Sequence, residues 1–279
     1  MKQRLVSQDQ VLAGYDAVSQ LYPYVPSMNM WRAWELAAYR HYGLPEPVLD
    51  IGCGDGRFFR LVWPHIREVI GVDIDPNVVD AARQFGIYQA VHAVPAHHLP
   101  FAPGCFASAF ANCSLEHMDH LPQVLNSIYN SLRPGGTFLF SVVTDKWHTW
   151  ATLPLLLQSL GNFEQARSLQ ANYVAYHHLA NALTPEGWRT ELEQAGFEVL
   201  EHIPIAPEIT SRLFLFLDHL WHVRQGTGEL GDMLYPYFSS MPDLPQAFRK
   251  ILSAVLELEH DWVTCSGAVF FAQRERCSQ

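Results

Sequence analysis

The chain has 279 residues, of which 49% are hydrophobic, and its formal net charge at pH 7 is −10. This length and apolar content allow one large domain, or one domain with a cap, around a substantial core. The acidic balance, without any run of Lys or Arg, disfavours nucleic acid and anionic membrane surfaces as main partners.

The cysteines and the apolar runs indicate the cellular setting. The N-terminal residues MKQRLVSQDQ lack the apolar centre of a signal peptide. The most apolar later runs, 153–157 and 213–217, are far shorter than the roughly 20 residues that span a bilayer. We therefore expect a reduced, cytoplasmic protein without a membrane span. The cysteines are odd in number and form no C-x-x-C pair: Cys53, Cys105, Cys113, Cys265 and Cys277.

Residues 1–44 are predicted to form an N-terminal helical cap segment. Trp31 and Trp34 fall at helical spacing, and Gly43 is a suitable stop for the helix that carries them. The chain before this helix holds aromatic residues that belong either to the core or to a cover over a ligand: Tyr15, Tyr22 and Tyr24.

From residue 47 onward, apolar strands alternate with helices. Strands are predicted at 47–52, 69–73, 87–94, 106–112 and 137–143. Helices are predicted at 56–65, 75–86 and 121–132. The first strand is apolar on both faces, as in a parallel sheet that is covered on both sides. This alternation with short connections specifies a doubly wound α/β sheet.

The regular alternation lapses after the fifth strand, where apolar helical segments interrupt the sheet twice. A further helix is predicted at 184–196, a strand at 197–205 and a last strand at 267–272. We expect a core built from residues 45–144, 184–207 and 263–275. The two interruptions, which we call the first insertion and the second insertion, are residues 145–183 and 208–262.

The stretch VLDIGCGDGRF at 48–58 reads as a strand, a glycine-rich turn and a helix start. Glycines at every second position let the backbone turn sharply and approach a ligand closely. The dinucleotide pattern G-x-G-x-x-G would need glycine at position 57, which is Arg57. Asp50 suits a ligand that carries an ammonium group and would repel a pyrophosphate. Asp73, at the end of the second strand, can accept both hydroxyls of a ribose, although it would also serve as a helix-start residue.

Five motifs together resemble the class I S-adenosylmethionine-dependent methyltransferases, in particular the small-molecule branch that includes quinone-biosynthesis enzymes. The motifs span roughly residues 47–143 and read VLDIGCGDGRF, VIGVDIDPNVVDAAR, HHLPF, SLEHMDH and LRPGGTFLF. The resemblance implies a Rossmann-like, mostly parallel seven-stranded sheet with an antiparallel last strand and a helical cap. It also implies S-adenosyl-L-methionine as the cofactor.

The resemblance assigns candidate cofactor-binding residues one by one. Asp73 would hold the ribose, Ile74 would pack on the adenine, and Ala96 and His97 would meet the adenine edge. Tyr15 and Arg32 lie where related enzymes cover the methionine group, and Asn112 and Ser114 would face the reacting end. The methionine part of the cofactor would be lined by the glycine turn: Asp50, Gly52, Cys53, Gly54 and Gly56.

The sequence departs from the family pattern at two positions. Pro95 stands where the family usually has an acid that contacts the adenine, so affinity or loop geometry is expected to differ. Ala107 replaces the usual Asp at the start of the fourth strand, which is expected to affect packing more than chemistry.

Histidine is the usual base when the methyl acceptor is a hydroxyl. His117, after the fourth strand, is the first candidate, although it would equally serve as a hydrogen-bonded core histidine. His148, after the fifth strand, is the second candidate. The histidine pairs 97–98, 177–178 and 219/222 raise the question of a metal, but no acid or cysteine cluster completes a site in the sequence. No metal is therefore predicted.

These features predict methyl transfer to a small acceptor, with the choice among oxygen, nitrogen and carbon left open. The two insertions are expected to cap the acceptor site. An S-adenosylmethionine-binding scaffold or non-methylating catalyst is the alternative, and Arg57 and the LRPGG motif disfavour a nicotinamide oxidoreductase. The oligomeric state is left open. The insertions argue for a bulky apolar or aromatic acceptor through Trp147, Trp150, Phe214, Phe216 and Trp221.

Overall fold

The computed structural model describes residues 1–226 and 228–276. It contains one eight-stranded sheet, in the spatial order β1-β7-β10-β6-β5-β2-β3-β4, and a separate two-stranded ribbon, β8-β9. In chain order, the strands are β1 (Lys2–Gln3), β2 (Val48–Ile51), β3 (Val69–Asp73), β4 (Ala90–Ala93), β5 (Phe106–Asn112), β6 (Leu132–Val143), β7 (Phe197–Pro207), β8 (Arg224–Gln225), β9 (Gly228–Glu229) and β10 (Cys265–Arg274).

The α-helices fall into those that lie outside the two insertions and those that lie within them. The first group is α1 (Gln8–Val18), α2 (Pro26–Tyr39), α3 (Arg57–Val62), α4 (Pro76–Phe85), α5 (Leu121–Ser131) and α9 (Pro185–Gln194). The insertions carry α6 (Lys146–Thr149), α7 (Thr152–Ser159), α8 (Phe163–Tyr176), α10 (Glu208–Trp221), α11 (Leu230–Ser239) and α12 (Leu244–Glu257).

The sheet confirms the predicted doubly wound, mostly parallel architecture. Strand β10 runs antiparallel to both β6 and β7, as expected for the last strand. The sheet has eight strands rather than seven because Lys2 and Gln3 pair in parallel with β7 at its edge. A two-residue strand at a sheet edge has no hydrophobic periodicity, so no sequence signal marked it.

Local sequence signals explain where the core helices begin and end. Helix α4 starts at Pro76 because the Asp75 side chain accepts a hydrogen bond from the backbone N–H of Asn77 at 2.8 Å. It ends at Gly86, whose φ of 76° is the left-handed conformation that glycine tolerates. The short α3 ends at Val62, earlier than the predicted residue 65.

Both faces of the sheet are covered by helices. On one face the core includes Trp34 and Tyr39 of α2, and helices of both insertions add to it through Trp147 and Phe214. The other face packs against α5 and α9, with Trp188 fully buried. Burial on both faces explains why β2 and β5 read as continuous apolar runs.

Within the described residues, no helix is long and apolar enough to cross a membrane. The cysteines that the structure describes are free thiols: Cys53, Cys105, Cys113 and Cys265. Cys277 lies outside the described residues.

Candidate cofactor and acceptor site

The glycine turn after β2 has a backbone that only glycine accommodates easily. Gly52, Gly54 and Gly56 all have positive φ values, of 63°, 55° and 82°. A Cβ atom added at Gly52 would lie 2.5 Å from the Cβ atom of Ser114, which follows β5. The absence of side chains therefore lets β2 and the segment after β5 approach each other at the carboxyl edge of the sheet.

Asp73 is fixed at the end of β3 beside this turn. Its Oδ2 atom accepts a hydrogen bond from the backbone N–H of Gly54 at 3.2 Å, and its Oδ1 atom accepts one from that of Asp75 at 3.1 Å. The neighbouring Ile74 side chain is 73% exposed. A fixed carboxylate beside an exposed apolar side chain suits a ribose with its attached base.

The larger cavity at this edge has a volume of about 530 Å³. A volume of this size is typical of small-molecule sites. The cavity contains most of the residues predicted for the ribose, the adenine and the reacting end. It is lined by Gly52, Val72, Asp73, Ile74, Val94, Pro95, Ala96, His97, Cys113, Ser114, His117, Met118, Asp119, His120, Val124 and His178.

A smaller cavity of about 110 Å³ shares Gly52 with the larger one. Asp50 and Arg32 bring opposite charges to its walls. This pairing matches the ammonium and carboxylate groups of an amino acid. Its lining residues are Tyr22, Arg32, Asp50, Gly52, Cys53, Gly54, Asp55, Gly56, Phe58, Phe59, Phe110 and Asn112.

Asp50 is an almost fully buried carboxyl, only 2% exposed. Burial raises its pKa to about 7, and the Tyr88 hydroxyl, which donates to Oδ2 at 2.6 Å, partly opposes that rise. A cation placed beside Asp50 would favour its charged form. Tyr88 was not among the predicted site residues, because its contact with Asp50 depends on how the segment before β4 packs against the glycine turn.

Arg32 reaches the smaller cavity from α2 and is held by Glu35. Its Nη1 atom lies 2.6 Å from Glu35 Oε2, and its guanidinium stands over the Phe58 ring at 5.1 Å. The Nε atom is buried and has no hydrogen-bond partner among the described residues. Arg32 thus retains donor capacity for an anionic group.

Two sequence-predicted residues lie outside both cavities. The Tyr15 hydroxyl donates to the backbone carbonyl of Pro245 at 3.1 Å. This buried side chain of α1 therefore packs against α12 instead of covering a ligand. Tyr22, from the same aromatic cluster, lines the smaller cavity in its place. His148 lines a separate surface cavity with residues of α7 and α8, which removes it from the predicted catalytic position.

His117, the first candidate for the base, lines the larger cavity. Burial lowers its pKa below the usual value, and its Nδ1 atom is buried without a partner among the described residues. Its Nε2 atom lies 4.0 Å from Oε1 of the buried Glu116. Burial raises the pKa of Glu116 to about 8. A neutral imidazole of this kind can accept a proton at neutral pH.

The first insertion crosses directly over the segment that carries His117. The Asn181 side-chain amide donates to the carbonyls of Leu115 at 3.0 Å and Met118 at 2.7 Å. Nearby His178 lines the larger cavity. None of the residues that line the two cavities belongs to the second insertion.

The reason for predicting no metal is wrong at one point. The prediction assumed that no acid or cysteine cluster completes a site at the histidine pairs, but Asp218 of α10, next to His219 in the sequence, lies between His177 and His222. The ligand atoms of these three residues lie within 4.8 Å of one another. The sequence signal was hidden because His177 and Asp218 belong to different insertions.

A family model described as a methyltransferase domain matches residues 31–202, which is more than half of the chain. The chain therefore belongs to the methyltransferase-domain family, and the resemblance found in the sequence to class I S-adenosylmethionine-dependent methyltransferases is confirmed.

The curated relatives include enzymes with different acceptors. A demethylmenaquinone methyltransferase of Symbiobacterium thermophilum is 29% identical over 47% of this chain and 55% of its own length. A malonyl-[acyl-carrier protein] O-methyltransferase of Pseudescherichia vulneris is 28% identical over 66% of this chain and 70% of its own length. The chain thus matches about half of the first of these relatives.

A solved structure from Thermotoga maritima, described as a methyltransferase that is possibly a histamine N-methyltransferase, has the same fold. Its TM-score is 0.56 at 17% identity, and the match covers 94% of this chain and 98% of the other. S-adenosylmethionine is the cofactor that the family assignment indicates.

The residues present fit this cofactor. A Cβ atom at Gly52 would fill the junction of the two cavities, and the unpartnered Nε atom of Arg32 is available to its carboxylate. The buried Asp50 is available to its ammonium group.

Proposed function

We propose that this protein transfers a methyl group from S-adenosylmethionine to a small, bulky apolar or aromatic acceptor. The observation that carries the proposal is the pair of neighbouring cavities at the carboxyl edge of the sheet, which share Gly52 as a lining residue and which we call the joined cavities. One end offers Asp50 and Arg32, and the other offers Asp73 and Ile74. This order of charges and surfaces matches an amino acid joined through sulfur to a nucleoside.

When bound, S-adenosylmethionine supplies a methyl group on a positively charged sulfur, which is a good leaving group. Asp50 and Arg32 bind and orient the amino-acid end, while Asp73 fixes the ribose. Most of the rate enhancement then comes from holding the acceptor atom in line with that methyl group.

His117 is proposed as the base for an acceptor that must lose a proton. Its imidazole lines the larger cavity, and its lowered pKa keeps it neutral at pH 7. The acceptor oxygen, nitrogen or carbon forms the new bond to the methyl carbon, and its proton passes to an imidazole nitrogen of His117. The sulfur keeps the electron pair of the broken bond.

The apolar character of the acceptor is supported by the apolar side chains of the larger cavity, which is backed by aromatic core residues beside the end of β5. The Trp31 indole N–H lies 3.1 Å from the sulfur of Cys113, which lines the larger cavity. The Trp147 and Phe214 rings, one from each insertion, pack against Trp31 with centroid distances of 5.3 and 5.2 Å. These rings are buried behind Cys113 and do not line the cavity themselves. The apolar lining of the larger cavity includes Val94 and Met118, and such a lining favours a ring-bearing acceptor over a compact charged one.

Transfer of a radiolabelled methyl group from S-adenosylmethionine tests the proposal directly. The full chain is incubated with three acceptor classes: a demethylated quinol, a malonyl thioester and an aromatic amine. We expect label in the quinol or the aromatic amine, since both present an apolar ring. Label only in the malonyl thioester would reject the apolar acceptor. Absence of transfer to any acceptor, with cofactor binding intact, would favour the scaffold alternative.

A further inference from the structure

The two insertions meet at a cluster of metal-ligand side chains outside the joined cavities. His177 directly follows α8, Asp218 lies within α10, and His222 directly follows α10. The Asp218 carboxylate stands between the two rings, with Oδ2 3.2 Å from His177 Nε2 and Oδ1 3.7 Å from His222 Nε2. Two histidines and one carboxylate therefore converge from two separate segments.

The surroundings orient these groups toward one another. The Nδ1 atom of His222 lies 2.9 Å from Glu229 Oε2, which leaves Nε2 directed toward Asp218. The Tyr173 hydroxyl donates to Asp218 Oδ2 at 2.5 Å and fixes the carboxylate. A carboxylate on the far nitrogen of a ligating histidine is the usual support for metal-binding imidazoles.

The nitrogen of His177 is not satisfied by the protein. Its Nε2 atom is buried and, despite the short distance to Asp218, makes no well-aligned hydrogen bond within the described part of the chain. An aligned hydrogen bond is the expected arrangement if this cluster serves only as a structural network. A cation placed between the three side chains would instead use all of the converging lone pairs.

We propose that His177, Asp218 and His222 bind one divalent transition-metal ion, with Zn²⁺ as the best match. Zinc takes His nitrogen and Asp oxygen ligands at about 2.0–2.2 Å in a tetrahedral arrangement, which places ligand atoms about 3.3 Å apart. The distances of 3.2 and 3.7 Å across Asp218 are close to that separation. Three protein ligands leave the fourth position to solvent.

The cluster has a route to solvent. His222 lines a surface cavity of about 590 Å³ together with Tyr173 and Tyr176. An ion bound there would join the end of α8 to the end of α10 and so clasp the two insertions together. His178, adjacent to His177, lines the larger cavity, so the clasp would also steady one wall of the candidate acceptor site.

Zinc binding by the purified full chain, stripped with a chelator and titrated with ZnCl₂, tests the proposal without relying on methyl transfer. We expect one equivalent of Zn²⁺ by calorimetry and elemental analysis. Co²⁺ substitution should give the strong visible absorption of a tetrahedral site. His222→Gln and His177→Gln should each weaken binding at least 100-fold, and Glu229→Gln by about 10- to 100-fold through loss of the supporting carboxylate.

His260→Gln is the matched control, because His260 is an exposed histidine of the second insertion, which also carries His222. It should leave zinc affinity unchanged. Circular dichroism of each variant checks the fold. If a ligand variant fails to fold, the zinc affinity of the Glu229 variant tests the proposal in its place. The absence of a stoichiometric Zn²⁺ site in the wild type would overturn the proposal. So would equal affinity in the wild type and in the folded ligand variants.

Discussion

At the scale of single residues, the candidate site depends on ionisable groups whose surroundings change their charge. Asp50 is buried in β2, just before the glycine turn, with a pKa raised to about 7, and His117 is partly buried with a lowered pKa. Asp50 is therefore only about half ionised near pH 7, and His117 is largely neutral there. A cationic ligand changes that balance at Asp50 by favouring its ionised form.

We expect the affinity for S-adenosylhomocysteine to depend on pH through Asp50. Below pH 7 the carboxyl is protonated and loses its attraction for the ligand ammonium group, so binding should be about tenfold weaker at pH 6 than at pH 8. Isothermal titration calorimetry across this range measures the effect. Asp50→Asn should bind more weakly at every pH and flatten the profile, and an unchanged profile in that variant would reject the role of Asp50.

We expect His117→Gln to lower turnover by about 10²- to 10⁴-fold for an acceptor that loses a proton, because the general base is removed. The dissociation constant for S-adenosylhomocysteine should stay within about twofold. His148→Gln is the comparison, since His148 lines a different cavity, and it should leave turnover unchanged. Equal losses in the two variants would argue against His117 as the base.

At the scale of elements, α2 is joined to the sheet by a buried carboxylate. Oε1 of Glu35 accepts from the Ser141 hydroxyl at 2.6 Å and from the Trp31 indole at 3.1 Å, while Oε2 pairs with Arg32. Ser141 belongs to β6, so one side chain links α2 to the centre of the sheet. The same carboxylate also sets the position of Arg32 at the smaller cavity.

We expect Glu35→Gln to destabilise the protein by about 3–5 kcal/mol, because the Arg32 charge would be left largely buried without its partner. Equilibrium denaturation in urea measures the change. Glu186→Gln is the control: Glu186 pairs with Arg189 on the exposed face of α9, and its loss should produce no measurable change. Equal stability of the Glu35 variant and the wild type would show that the buried pair contributes nothing net.

The elements that the sequence predicted best are those whose signal is local. Strands β2 and β3 were recognised from continuous apolar runs, and α4 from Asp75, Pro76 and Gly86. The two-residue β1 gave no such signal, since its pairing with β7 depends on residues about two hundred positions away. His148 was misjudged for the same kind of reason, because the path of the first insertion after β6 is set by tertiary packing.

The site residues divide in the same way, into those marked by local sequence signals and those placed by tertiary packing. The glycine turn, Asp73 and His117 occupy fixed places relative to strand ends, and strand ends can be read from the sequence. Tyr22 and Tyr15 could not be distinguished, since the choice depends on whether the ring points toward α12 or toward the glycine turn. The cluster around Asp218 was likewise hidden, because Asp218 follows His177 by 41 positions along the chain.

At the scale of the whole molecule, the joined cavities make stability depend on the ligand. They are walled by α2, by the segments after β2, β3, β4 and β5, and by the first insertion at His178. A ligand that spans both cavities therefore contacts parts of the chain that are distant in sequence. Such a ligand binds the folded state and has no comparable site in the unfolded chain.

S-adenosylhomocysteine at 100 times its dissociation constant should stabilise the fold by about 2.7 kcal/mol. For a protein of this size the melting temperature should rise by about 5 °C. Differential scanning fluorimetry with S-adenosylmethionine, S-adenosylhomocysteine and NAD measures the shift. Stabilisation by NAD alone would contradict the cofactor assignment.

The position of β10 between β6 and β7 has a consequence for how the chain folds. Residues 265–274 fill a place inside the sheet, and the strands on either side were completed at residues 143 and 207. During synthesis, the edge of β6 that pairs with β10 remains unpaired until β10 has left the ribosome. Such long-range pairing slows folding and leaves a sheet edge open to wrong partners in the meantime. The nascent chain is therefore most prone to aggregation just before its last strand emerges.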